Sequence, residues 1–149
     1  MKLLFPLILT CFIGLTSLGQ SLEGEWKGTF ETNFYKFTNV SYSSPIKLYF
    51  KLNTDSSYDI YSYSKGPNLK GRDTTIVCKV DYKFVGKDSI YLEEIEVIKP
   101  QKTSMICLQK MKLKIEERAN QIILSGTWTN DNVDCAQFGI ISLSKKNKK

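Results

Sequence analysis

Apolar and polar residues alternate with a period of two along most of this 149-residue chain, and no stretch carries a persuasive helical period. Ile46, Leu48, Phe50 and Leu52 share one face of a segment whose other face is Lys47, Tyr49 and Lys51. Ile76, Cys78, Val80, Tyr82 and Phe84 stand in the same way against Thr75, Lys79, Asp81 and Lys83. Met105, Cys107, Gln109, Met111, Leu113 and Ile115 stand against Lys110, Lys112 and Lys114. A period of two is that of a strand with one buried face, so the chain is predicted to be all-β. Turn-forming residues punctuate the pattern at Asn53-Thr54-Asp55-Ser56, Lys65-Gly66-Pro67-Asn68, Gly86-Lys87-Asp88, Ala119-Asn120 and Asn130-Asp131-Asn132, and Pro100 stops a strand.

These breaks predict strands over 25–32, 46–52, 58–64, 74–84, 89–98, 105–115, 122–129 and 138–144. Residues 33–44 fit no element cleanly; Asn33 to Phe37 either extend the first strand or form a loop over one end. Consecutive strands with mostly short connections favour an antiparallel meander. Eight such strands can close into a single up-and-down barrel, which also removes the edges that invite aggregation. A two-layer β-sandwich explains the same alternation and is the alternative.

Residues 1–19 read as a secretory signal: Lys2, an apolar run from Leu3 to Leu15, then Ser17-Leu18-Gly19. The run is interrupted by Pro6 and is short of the roughly 20 apolar residues that span a bilayer. Cleavage is predicted after Gly19, with Gln20 the close alternative. Cys11 lies inside the run without a small residue before it, which argues against lipid attachment. Residues 20–144 then form the domain and 145–149 a basic tail. No transmembrane segment remains after cleavage, and the product is expected to be secreted, or periplasmic and associated with the outer membrane.

The motif L-x-G-x-W occurs twice, as Leu22-Glu23-Gly24-Glu25-Trp26 and Leu124-Ser125-Gly126-Thr127-Trp128. Gly24, Trp26 and Gly28 on a first strand resemble the entry to lipocalin- and avidin-type barrels, and Leu124 to Asp131 is similar to an avidin opening strand. In order of features the chain also resembles a set of small exported proteins typical of Bacteroidota. They share G-x-W-x-G (Gly24 to Gly28), a glutamate on a middle strand (Glu93 or Glu94) and a cysteine before an alternating strand (Cys107). A late L-x-G-x-W and Cys135-Ala136-Gln137-Phe138-Gly139-Ile140-Ile141-Ser142-Leu143 complete the order. The resemblance implies a calycin-like barrel and an exported location, with no activity attached. The two tryptophans are expected to plug the core.

The formal charge is +6, with Lys145, Lys146, Lys148 and Lys149 in the tail. The body is almost neutral, which excludes a strong nucleic-acid reading. Peripheral contact of the tail with an anionic surface, together with the Lys110, Lys112 and Lys114 stripe, is compatible with it. There are no histidines, so Ser-His-Asp, Cys-His and histidine acid–base chemistry are excluded. Common catalytic zinc sites lose their usual ligand, and no phosphate-cradling glycine motif is present. No cofactor or metal is expected, and the chain reads as a non-enzyme. Cys107 and Cys135 are the preferred disulfide, leaving Cys78 as a small buried hydrophobe.

Candidate ligand-binding residues are Tyr58, Tyr61, Tyr63 and Tyr82, with Glu93, Glu94 and Glu96. By simple alternation, Glu94 and Glu96 share a face with Ile90 and Leu92, while Glu93 lies on the other, so at least one glutamate faces inward. A buried carboxyl needs a partner or takes up a proton. The function read first is an exported, non-catalytic barrel holding a small or extended ligand in its open end; the alternative is an envelope-associated scaffold with a filled interior. The partner is then an unknown small molecule or envelope component. A central cavity lined by Tyr and Glu favours the first, and a packed axis the second.

Overall fold

The computed structural model describes residues 21–34, 41–65, 75–99, 106–130 and 137–146. Within them are strands β1 (Gly24–Phe34), β2 (Ser41–Leu52), β3 (Tyr58–Lys65), β4 (Thr75–Phe84), β5 (Ser89–Lys99), β6 (Lys110–Arg118), β7 (Gln121–Thr129) and β8 (Gln137–Lys146). Each pairs antiparallel with the next and β8 with β1, so the eight strands form one closed up-and-down barrel rather than a sandwich. The short β2–β3, β4–β5 and β6–β7 turns define a hairpin end. The opposite, loop end is served by connections that run largely outside the described residues. The predicted signal segment, residues 35–40, Met105, Cys135 and residues 147–149 also lie outside them.

The strands depart from the predicted limits for identifiable reasons. β2 begins at Ser41, not Ile46, because its inward position there is Ser44, which is buried and breaks the apolar pattern. Pro45 sits one residue past the last β2–β3 pair, Ile46 with Ser64. There β2 has a neighbour on one side only, so a missing N–H need interrupt no ladder. β6 begins at Lys110, not 105, and its seam with β5 has five pairs, the fewest in the barrel. β8 runs to Lys146, two residues into the predicted tail. Lys145 Nζ donates to the carbonyls of Ser21 (2.6 Å) and Glu23 (2.8 Å) and lies 5.2 Å from the Trp26 ring centre.

β5 carries two bulges. Ile95 and Ile98 have no opposite residue on β4, because the pairs step from Glu94 to Glu96 and from Val97 to Lys99. Each bulge reverses the in–out parity. Ile95 and Ile98 are therefore 50% and 37% exposed, and Glu96 emerges on the outside although Glu94 is inside. The shared face predicted for the two glutamates is thus corrected by one inserted residue.

The axis is filled. Trp26, Leu48, Phe50, Ile60, Leu92, Met111, Leu124, Trp128 and Ile141 are all almost wholly buried. The two copies of L-x-G-x-W each deliver a tryptophan to this core, yet their glycines serve different ends. Gly24 has a positive φ of 113°, and a Cβ there would meet only the Lys145 side chain at 3.7 Å, whereas a Cβ on Gly126 would lie 1.9 Å from the Lys112 carbonyl oxygen. The outer wall bears exposed lysines at Lys27, Lys47, Lys79, Lys112 and Lys114. That pattern is the reverse of a lipid-facing barrel, which is apolar outside.

Candidate functional site

The interior turns polar toward the loop end. Ser62 on β3 and Cys78 on β4 stand opposite each other, and Glu94 projects inward from β5; their exposures are 1%, 1% and 5%. Ser62 sits at an inward position between Ile60 and Ser64, and a serine at an inward position was, beside Glu94, the sequence signal for the cluster. Ser62 Oγ donates to Glu94 Oε1 at 2.5 Å, and the Gln109 backbone N–H donates to Glu94 Oε2 at 2.9 Å. The Glu94 N–H donates in turn to the Gln109 carbonyl at 2.9 Å. The carboxyl therefore clamps β5 to the approach of β6 where their ladder ends. Gln109 Oε1 is buried without a hydrogen-bond partner.

Burial pushes the Glu94 carboxyl above its ordinary value, and the bonds from Ser62 and Gln109 only partly oppose it. Burial, then the nearby Glu94 charge, pushes the Cys78 thiol up to about 12. That thiol is protonated at neutral pH and is no nucleophile. Glu94 is a raised acid, so its contribution to stability is complete below the ordinary glutamate value of 4.5 and is lost as pH rises through the folded-state value. Glu94→Gln keeps the shape without the ionisation. Its melting temperature relative to wild type should therefore climb as pH is raised above 4.5; a difference that stays flat between pH 5 and 9 would refute the assignment.

The seven sequence candidates fall in three places. Glu94 alone enters the polar layer. Tyr58 and Tyr82 lie at the hairpin end, where the Tyr58 hydroxyl accepts from the Leu22 N–H at 3.2 Å and the Tyr82 hydroxyl from the Tyr58 N–H at 3.0 Å. They border a cavity of about 110 Å³ lined by Leu22, Tyr58, Phe84, Lys87, Ile115, Glu117 and Ile122 or stack beside it, the Tyr58 and Tyr82 rings being 5.9 Å apart. Tyr61 and Tyr63 are on the outer wall of β3. Glu93 is also outside, 3.4 Å from Lys110 Nζ, and Glu96 is exposed opposite Lys79. No cleft among the described residues gathers the candidate tyrosines with the candidate glutamates, because parity sends Tyr61 and Tyr63 away from Tyr58. Ser62, Gln109 and Lys145 were not among the candidates.

Cys107 is disulfide-bonded, and Cys78 is free. Cys135, its expected partner, lies outside the described residues. Among the described residues no three metal-ligating side chains come together, and no helix is long and apolar enough to cross a membrane. No family model matches the chain, and neither does any curated protein or solved structure.

Proposed function

We propose that this chain is an exported, non-catalytic interaction module, a barrel packed along its axis that meets a cell-envelope component through its outer faces. The observation that carries the reading is the packed axis. Trp26, Phe50, Met111 and Trp128 occupy the volume in which a ligand-holding barrel keeps its cavity. The lack of histidine, the protonated Cys78 thiol and the divergence of Glu93, Glu94 and Glu96 to both sides of the wall support a role without chemistry. Export through cleavage of 1–19 and a Cys107–Cys135 bridge belong to the same reading. Peptide mapping without reduction should recover those two cysteines together, and a Cys107 peptide joined to any other would remove that part.

A second reading, a small hydrogen-bond donor held at the loop end, is favoured by the unpartnered Gln109 Oε1 next to the Glu94 clamp. Native mass spectrometry of the exported protein separates the two. The polypeptide mass alone is expected; a retained molecule that disappears in Glu94→Gln would overturn the packed-module reading in favour of the second.

A further inference from the structure

The outer wall of β2, β3 and β4 brings three tyrosines and two lysines into register. Tyr49 stands opposite Tyr61 and Tyr61 opposite Lys79, while in the next row Lys47 stands opposite Tyr63. Their chain neighbours Leu48, Ile60, Ser62 and Cys78 are buried, so alternation turns all five side chains outward. Tyr49 is 42% exposed. Among the described residues, none of the three tyrosine hydroxyls has a hydrogen-bond partner and Lys79 has no ion pair. Lys47 reaches only Glu25, at 3.9 Å, and Glu25 is already held by Lys27.

We propose that this wall docks an acidic polysaccharide, which names the partner for the outer-face reading above and rests on it. Tyrosine offers a ring face for the C–H face of a sugar and a hydroxyl for its polar edge, and the unspent hydroxyls here are three. The lysines would take the carboxylates. Neighbouring strands are about 4.8 Å apart and alternate residues about 6.8 Å, which puts the Cα atoms of Lys47 and Lys79 about 12 Å apart. Lys51, Lys65 and Lys83 are exposed on the same strands, but Asp59 stands opposite Lys51 and Glu96 opposite Lys79, so carboxylates are set between the cations. Nucleic acid presents a phosphate roughly every 3.4 Å along each strand and an anionic membrane a dense negative surface, and carboxylates set between the lysines would repel both. Lysines interleaved with carboxylates beside three tyrosine rings fit instead a chain of sugar rings that carries its charges at intervals.

Affinity electrophoresis of the exported protein tests the proposal with hyaluronan, which has a carboxylate on every second sugar, and with polygalacturonate. Dextran, poly-U RNA and phosphatidylglycerol vesicles are the comparisons. At least one acidic glycan should retard the protein at low salt, and dextran should not. Tyr61→Ala and Lys79→Gln should each weaken the retardation about tenfold, Tyr61→Phe less, and Lys112→Gln on β6 not at all. All three sites are on the outer wall, and unchanged thermal transitions would show the four variants folded. No retardation by either glycan, retardation indifferent to Tyr61→Phe and Lys79→Gln, or tighter binding to RNA or vesicles would overturn the proposal. A small molecule retained in native mass spectrometry would instead overturn the outer-face reading beneath it.

Discussion

Trp128→Ala should lower the stability of the barrel by about 3 to 5 kcal/mol, the cost of deleting a large buried aromatic ring. Trp128 is 1% exposed, meets Phe30 edge-on at 5.4 Å between ring centres, and donates from Nε1 to the Glu31 carbonyl at 3.0 Å. Truncation removes the ring contacts and leaves that carbonyl without its donor, in a closed wall that cannot collapse inward without shearing its ladders. A domain of this size is stable by about 5 to 15 kcal/mol in all, so the variant loses a large share of the total. Trp128→Phe keeps the edge contact and loses the donor, and should fall between. Trp26→Ala should cost a similar amount, since Trp26 is fully buried against Phe50 and donates to the Leu22 carbonyl at 2.8 Å. Urea titration followed by far-ultraviolet circular dichroism measures all three. A loss below 1 kcal/mol for Trp128→Ala would mean that the ring is not a packed part of the core.

Gly139→Ala is expected to cost about 3 kcal/mol, the upper end of ordinary overpacking. Gly139 pairs with Trp128 across β7–β8 and with Thr32 across β1–β8. A Cβ there would lie 1.6 Å from the Glu31 carbonyl oxygen and 2.7 Å from Trp128 Nε1. The first neighbour is backbone and cannot rotate away, so β1 and β8 must part or Trp128 must give up its bond to Glu31. Gly86→Ala is the control. Gly86 has a positive φ of 72° but nothing within 4 Å of the new methyl, so its cost is the backbone strain alone, about 1 kcal/mol. If the two variants melt together, close strand approach at Gly139 is not what its glycine provides.

Much of the barrel was legible in the alternation, and the failures have local causes. The Ser41–Pro45 stretch of β2 was missed because Ser44, its buried inward residue, is polar. The separation of Tyr58 from Tyr61 and Tyr63 was implicit in their odd and even positions on one strand. Glu96 could not be read, because its outward placement comes from a bulge that exists only in the pairing of β4 with β5. Lys145 read as tail because its partners are backbone carbonyls at the far end of the chain, which no residue pattern advertises.

Parity along each strand follows from the sequence alone, because side chains alternate about a single extended backbone whatever lies beside it. That suffices for the all-β class, for most of the core and for a barrel as a candidate. Register, closure and bulges depend instead on which residue of a neighbouring strand stands opposite, a relation between segments far apart in the chain. Only the tertiary structure therefore decided that Glu94 and Glu96 part company and that Ser62, Cys78 and Glu94 meet. It also decided that one L-x-G-x-W glycine serves a positive φ and the other a close strand contact, since a glycine's spelling is the same for both.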